Sequence, residues 1–117
     1  PVTELINDKK LAEIIERTKF GGGELVKLMG TSAWYAPGAA AAQMVESIIK
    51  NQKRIFPVCV KLEGEYNIDD CYLGVPVILG SNGIEKVIEL DLNSDERTLL
   101  EESRSHVKEV MSVLENL

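Results

Sequence analysis

The first quarter of the chain alternates apolar and charged residues with the period of a helix. Between Asp8 and Met29 one side of that period carries Leu11, Ile14, Ile15, Thr18, Gly22, Leu25 and Met29. Lys, Glu and Arg fill the intervening positions, so the pattern predicts one long amphipathic helix. Three consecutive glycines at residues 21–23 interrupt its middle, and each costs about 1 kcal/mol of helix propensity. We therefore expect a kink or a break there unless close packing compensates.

Small and aromatic residues interrupt the helical pattern at residues 30–38, which read GTSAWYAPG. They predict a loop, after which Pro37 can open the next helix in its first turn. Residues 39–50 continue that helix with four alanines followed by Met44, Val45, Ile48 and Ile49. Because residues 39–42 are apolar on every side, we expect that end of the helix to be enclosed by other structure.

An alternating period then predicts a three-stranded antiparallel meander. One face of the first strand carries Phe56, Val58, Val60 and Leu62, and residues 72–79 form the second strand. Asn82 and Gly83 predict a hairpin turn, because both residue types tolerate positive φ. On the third strand the residues expected to face inward are Ile84, Ile88, Leu90 and Leu92.

A final helix is predicted from Asn93, a capping residue that precedes two acids, to about Leu117. Its apolar stripe contains Leu100, Val107, Val110, Met111, Leu114 and Leu117. The order helix, helix, three strands, helix predicts an α+β fold, with long helices packed on one face of a twisted antiparallel sheet. A chain of 117 residues, 44% of them hydrophobic, predicts a single domain over residues 1–117.

Charge and cysteine usage narrow the classes of partner. The net charge of −6 and the lack of a basic cluster argue against nucleic acid. Cys59 and Cys71 are too few and too isolated for a disulfide framework or a zinc site, so we expect buried, reduced thiols in an intracellular compartment. No apolar run approaches the roughly 18 residues of a membrane span.

Few residues are candidates for chemistry. His106 lies beside the apolar stripe of the last helix, where a surface histidine is a better interpretation than a general base. Asp69 and Asp70 predict a solvated turn and no cation site, since the other oxygen ligands of a calcium loop are missing. The glycine triplet lacks the flanking pattern of a phosphate-binding turn. The loop at residues 30–38 suits either a buried ligand edge or a packed helix corner with Trp34 in the core, and the residues alone favour the corner.

Several separated motifs resemble one known family. They are GGELVKLMGTSAWYAP at residues 22–37, MVESI at residues 44–48, and YLGVPVILG at residues 72–80 followed by Asn82 and Gly83. In this order they resemble the C-terminal domain of NAD-dependent malate dehydrogenases of the lactate-dehydrogenase-like group. The form Ser-Ala-Trp-Tyr-Ala-Pro is more similar to the malate branch than to the lactate branch, and the resemblance covers essentially the whole chain.

The resemblance implies a reversible hydride transfer between malate and NAD that yields oxaloacetate and NADH. By alignment of the loop, Ser32 corresponds to a small hydroxyl residue lining the substrate and nicotinamide pocket, with Ala36 and Pro37 beside it. NAD would be bound mainly by an N-terminal nucleotide-binding domain. The resemblance further implies a homodimer or homotetramer in the cytoplasm, with malate and oxaloacetate as small-molecule partners.

The family's proton-relay histidine, its orienting aspartate, the substrate-clamping arginines and the Gly-rich NAD turn have no counterpart in this sequence. We therefore expect a substrate-side half that has no catalytic or metal-ligating residue and neither turns over nor binds NAD by itself. The missing initiator Met also predicts an internal piece of a longer protein. A free-standing binding or oligomerisation module that has kept the fold is the alternative.

Overall fold

A computed structural model describes residues 2–114 of the chain, apart from the side chain of Asp70. Its regular elements are α1 (Asp8–Met29), α2 (Tyr35–Ile49), β1 (Arg54–Glu63), β2 (Asp69–Gly80), β3 (Gly83–Val87) and α3 (Ser94–Leu114). This order confirms the predicted α+β class. Leu117, which the last apolar stripe was expected to include, lies outside the described residues. The chain divides into two compact units, Pro1–Ala41 and Ala42–Leu117.

Helix α1 dominates the first unit and has the predicted bounds. The Asn7 side chain accepts a hydrogen bond from the Lys10 N–H at 2.9 Å and caps the start of the helix. Gly30 ends it in the left-handed conformation at φ 71°, where its N–H donates to the carbonyl of Val26. The expected kink at residues 21–23 is absent, because the capped helix of 22 residues runs unbroken through the glycines.

Close packing does not explain those glycines. A Cβ added at Gly21, Gly22 or Gly23 would meet no atom within 4 Å. No residue of α1 is fully buried, and of the predicted stripe Ile15, Leu25 and Met29 are 48%, 44% and 44% exposed. The stripe that the sequence predicted is therefore present on α1 without being covered by the described residues.

The second unit is built on the sheet, whose strand order is β1-β2-β3 with both pairs antiparallel. The inner face of β1 carries the four predicted residues, of which Leu62 is fully buried and the other three are half-buried. The buried core consists of Leu62, Ile68, Cys71, Leu73, Val75, Val77 and Leu79. Met44 and Ile48 of α2 pack against it, as do Leu100 and Val107 of α3. Two helical segments thus cover one face of the sheet, which removes its apolar side chains from water.

The two thiols differ in their environments. Cys71 is buried as expected, whereas Cys59 is exposed, so the expectation of two buried thiols is wrong for Cys59. Cys59 lies on the side of β1 that alternates away from the core, opposite Gly74, which has no side chain to cover it. Both cysteines are free.

The third strand differs from the prediction in length and in orientation. It ends at Val87, and Ile84, which was expected to face inward, is 43% exposed, as is Leu90 at 53%. A bulge follows Ile84, because Ile78 pairs with Lys86 but Leu79 pairs with Ile84, so that Glu85 is an extra residue and Val87, not the expected Ile88, packs against the core. A bulge reverses the alternation of side chains, and the sequence period alone does not reveal it.

Helix α3 begins with a capping box. The Asn93 side chain accepts from the N–H groups of Asp95 and Glu96, and the Glu96 carboxylate accepts from the Asn93 N–H, each at 2.9 Å. The predicted start is therefore confirmed. Of its predicted stripe, Val110 and Leu114 are 69% and 68% exposed. The prediction is wrong for these two residues. The side facing the sheet carries Leu100, Val107 and Met111 of the predicted stripe together with Arg104.

Ser47 fastens α2 to the sheet through a buried hydroxyl. Its Oγ donates to the carbonyl of Leu79 at 2.9 Å and accepts from the Arg54 N–H at 3.4 Å, and the residue is 0% exposed. One turn away, Lys50 donates to Glu46, and this hydrogen bond and the charge of Lys50 lower the pKa of the Glu46 carboxyl below its ordinary value of 4.5. The buried hydroxyl is the contact with the larger energetic consequence.

Replacing Ser47 with alanine is expected to lower the free energy of unfolding by about 1–2 kcal/mol, because a buried carbonyl loses its donor. Urea denaturation followed by far-UV circular dichroism measures the loss. The matched control is Ser103→Ala on the exposed surface of α3, which should change stability by less than about 0.5 kcal/mol. Equal midpoints for the two variants would show that the buried hydrogen bond contributes nothing.

Candidate functional site

The candidate site is the junction between α1 and α2, which lies wholly within the first unit. Gly30 stops α1, residues 31–34 form the connection, and α2 starts at Tyr35. The Gly38 N–H donates to the carbonyl of Trp34 at 3.0 Å and closes the first turn of α2. Pro37 is the third residue of this helix, where no intrahelical N–H donor is needed. The positive φ of Gly30 and the ring of Pro37 therefore define a short, sharply bent connection.

The side chains of this junction are largely open to solvent. Trp34 and Tyr35 are 69% and 78% exposed, and Ala33 is the half-buried member of the loop. The packed corner with Trp34 in the core is therefore wrong. The alanines at residues 39–42 are also exposed, contrary to the expectation of an enclosed helix end. Both expectations assumed that these apolar residues would be buried by other residues of the same chain.

The structure brings the three predicted pocket residues together in one short segment. Ser32 lies in the connection, and Ala36 and Pro37 lie in the first turn of α2, all three exposed. Among the described residues, no hydrogen bond occupies the Ser32 hydroxyl. Residues 30–38 contain no carboxylate, imidazole, ammonium or guanidinium group. The segment can offer shape and hydroxyl hydrogen bonds to a ligand, but general acid or base catalysis by a carboxylate or imidazole must come from elsewhere.

The remaining candidates do not join this segment. His106 is exposed on α3, in agreement with the surface interpretation. Asp69 and Asp70 open β2 instead of forming a turn, because Gly64, Tyr66 and Asn67 complete the turn earlier with positive φ values. In the part of the chain that the structure describes, no group of three His, Cys, Asp or Glu side chains could hold a metal ion. Among the described helices, none combines the length and hydropathy of a membrane span.

A polar cluster at the β2–β3 hairpin escaped the sequence reasoning. The bulge turns Glu85 towards Lys53, whose Nζ lies 3.3 Å from the carboxylate, and the Glu85 side chain is only 19% exposed. The Asn51 side chain accepts from the Ser81 N–H at 3.0 Å. The Glu85 carboxylate and the Asn51 side-chain oxygen occupy the space next to Gly80 that a Cβ would need. The sequence signal that could have revealed this cluster is Gly80, a glycine directly before the hairpin turn. The cluster holds the hairpin against the segment that follows α2.

The order of elements and the hydroxyl-bearing junction define an α+β domain with an exposed loop between its first two helices. Residues 2–117 match the family described as lactate/malate dehydrogenase, alpha/beta C-terminal domain, and the chain belongs to this family. A malate dehydrogenase of Cytophaga hutchinsonii is 75% identical over all 117 residues, and one of Geobacillus thermodenitrificans is 56% identical over 116 residues. The chain spans 38% and 37% of these two relatives.

Solved structures agree with this assignment. The malate dehydrogenase of Salinibacter ruber superposes with a TM-score of 0.93 at 55% identity, covering 100% of this chain and 38% of that one. A lactate dehydrogenase of Eimeria maxima, solved with NADH and oxamate, superposes with a TM-score of 0.88 at 45% identity and covers 97% of this chain and 36% of that one. The chain therefore matches a little under two-fifths of the length of these enzymes, and its fold is that of the family's C-terminal domain.

Proposed function

We propose that this chain is the substrate-side half of an NAD-dependent malate dehydrogenase, which in the intact polypeptide oxidises malate reversibly to oxaloacetate. The observation that carries the proposal is the 75% identity over the whole chain to a protein named malate dehydrogenase. Malate dehydrogenases of three species are 75%, 56% and 55% identical to this chain, above the lactate dehydrogenase at 45%, although a malate dehydrogenase of Aeropyrum pernix is only 34% identical. The malate branch is therefore favoured over the lactate branch, and family membership favours an enzyme half over a free-standing module.

The loop contributes shape and one hydrogen bond to the substrate pocket in this proposal. The exposed Ser32 hydroxyl has no partner among the described residues and is free to bind the substrate, while Ala36 and Pro37 limit the space around it. A single hydrogen bond of this kind tunes which 2-keto acid fits, by up to about tenfold. The proposal assigns proton transfer and binding of the substrate carboxylates to parts of the intact polypeptide outside this chain, where the nucleotide-binding half also lies.

NAD binding is assigned to that other half as well. The glycines at residues 21–23 lie inside α1, with no strand before them, and do not form a phosphate-binding turn. The remaining partners in the proposal are malate, oxaloacetate, the nucleotide-binding domain and further copies in a homodimer or homotetramer. The setting is the cytoplasm and the tricarboxylic acid cycle, and a net charge of −6 supports neither nucleic acid nor an anionic membrane as a partner.

The test is an NADH-oxidation assay with oxaloacetate on two proteins, the intact polypeptide from the source and the chain of 117 residues. We expect turnover by the intact protein, and for the chain alone neither turnover nor micromolar NAD binding. In the intact enzyme, Ser32→Ala should raise KM for oxaloacetate by about two- to tenfold. The control Ser103→Ala should leave it unchanged.

Two results would contradict the proposal. A native product of 12.9 kDa without activity would favour the free-standing module. An intact enzyme that prefers pyruvate over oxaloacetate would assign the chain to a lactate dehydrogenase instead.

A further inference from the structure

The turn between β2 and β3 presents an asparagine followed directly by a glycine. Ser81 and Asn82 are its two exposed residues, and Gly80 pairs with Gly83 across it. Gly83 has a φ of 84°, which L side chains rarely adopt, while a Cβ added there would meet nothing within 4 Å. The glycine therefore serves the backbone of the turn and not its packing. The proposed function makes no use of this pair.

No contact holds the Asn82 side chain in place. Within residues 2–114, its amide takes part in no hydrogen bond. Three other asparagines accept hydrogen bonds from backbone N–H groups through their side chains, namely Asn7, Asn51 and Asn93. A side chain bonded in this way is kept at one orientation, whereas the Asn82 amide is free to turn towards its own backbone.

Asn67 matches Asn82 in exposure and in the freedom of its side chain. It is exposed, and among the described residues its amide also has no hydrogen bond. The two differ in the residue that follows: Ile68 is β-branched and 3% exposed, whereas Gly83 has no side chain. A β-branched side chain crowds the backbone nitrogen that it adjoins, and a glycine leaves it open. Among all asparagines of the sequence, Asn82 alone precedes a glycine.

From these observations we infer that Asn82 is a site of spontaneous deamidation. The Gly83 backbone nitrogen loses its proton to hydroxide and attacks Cγ of Asn82, which closes a five-membered ring. As the N–Cγ bond forms, the Cγ–Nδ2 bond breaks, and the side-chain nitrogen takes up protons from water and leaves as ammonia. Water then opens the resulting succinimide at either carbonyl and yields aspartate or isoaspartate. The reaction consumes water alone and does not depend on the proposed dehydrogenase activity.

Either product alters the hairpin. Both replace a neutral amide with a carboxylate, which adds one negative charge to a chain whose net charge is −6. Isoaspartate also carries the backbone through its side-chain methylene and so lengthens a turn of two residues by one atom. Because turn length fixes the register of a hairpin, we expect this product to weaken the Gly80–Gly83 pair and the neighbouring contact between Asn51 and the Ser81 N–H.

The test is incubation of the intact, folded polypeptide in mildly alkaline buffer, followed by tryptic peptide mapping with chromatography and mass spectrometry. Cleavage after Lys61 and Lys86 releases residues 62–86, which contain both Asn67 and Asn82. One peptide therefore reports both sites, and a sample digested without incubation corrects for conversion during digestion. We expect conversion at Asn82 to be more than about tenfold faster than at Asn67, to give both aspartate and isoaspartate, and to accelerate as the pH rises.

The variant Asn82→Gln is the matched control, because it keeps the amide but would have to close a larger, six-membered ring. Residues 62–86 of this variant should lose the fast conversion. Equal rates at Asn67 and Asn82, or undiminished conversion in the variant, would overturn the inference. So would aspartate as the sole product, which indicates direct hydrolysis, or conversion that occurs only after unfolding in urea, because the folded hairpin would then protect the site.

Discussion

Replacing Leu62 with alanine is expected to lower the free energy of unfolding by about 2–5 kcal/mol, more than we expect for any other single substitution in the sheet. Leu62 is fully buried near the end of β1, opposite Cys71, in the cluster that joins the sheet to its helices. Truncation removes transfer free energy and leaves a cavity in the packed cluster between the sheet and its helices. A domain of this size has only about 5–15 kcal/mol of stability, so the loss is a large fraction of the total.

The matched control is Ile55→Ala on the same strand, where the side chain is 61% exposed and the expected loss is much smaller. Urea denaturation followed by far-UV circular dichroism measures both, with the slope m showing whether the unfolded state has changed. Trp34 fluorescence is not suitable, because Trp34 belongs to the other compact unit. Equal losses at the two positions would show that the inner face of β1 is not the core.

Gly80→Ala is the second substitution with a large expected effect, a loss of about 1–3 kcal/mol. The added Cβ would stand 2.6 Å from the Glu85 carboxylate carbon and 2.9 Å from the Asn51 Oδ1. Glu85 would have to swing away from Lys53, and Asn51 would have to release the Ser81 N–H, so one methyl group disturbs two polar contacts. Gly74→Ala on the same strand is the control, since a Cβ there meets nothing within 4 Å.

A double-mutant cycle tests the cause of that loss. If crowding of Glu85 is responsible, Glu85→Ala should cost less in the Gly80→Ala background than in the wild type, with a coupling of about 1 kcal/mol. The readout is the urea midpoint of the four proteins. Strictly additive losses would assign the cost of Gly80→Ala to Asn51 or to the backbone and would refute the proposed clash with Glu85.

The elements whose hydrophobic period matches their buried side, or whose ends have a local capping signal, were predictable from the sequence. The bounds of α1, the inner face of β1 and the cap at Asn93 all follow from local rules, and the structure confirms each. The orientation of β3 was not predictable, because it depends on a bulge at Glu85 that no periodicity reveals. Ser47 was also missed, since a serine within a helix carries no signal that its hydroxyl will be buried.

The candidate site was predictable in position but not in environment. Composition predicted a loop at residues 30–38, and the structure has a shorter one at residues 30–34, because α2 already begins at Tyr35. Burial of Trp34 and of the alanines was expected because composition alone does not show whether apolar residues are covered within the chain or stay exposed on its surface. Local sequence does not distinguish these two fates, and the roles of Ser32, Ala36 and Pro37 stay predictions.

The unequal exposure of the two thiols gives the chain a built-in chemical reporter. Cys59 is accessible in the folded state, whereas Cys71 is at 0% exposure near the start of the central strand β2. An alkylating reagent will therefore modify Cys59 first, and modification of Cys71 will be limited by how often the central strand opens. After Cys59→Ser, the alkylation rate of the single remaining thiol becomes a direct measure of sheet opening, in the wild-type background and in variants such as Leu62→Ala and Gly80→Ala.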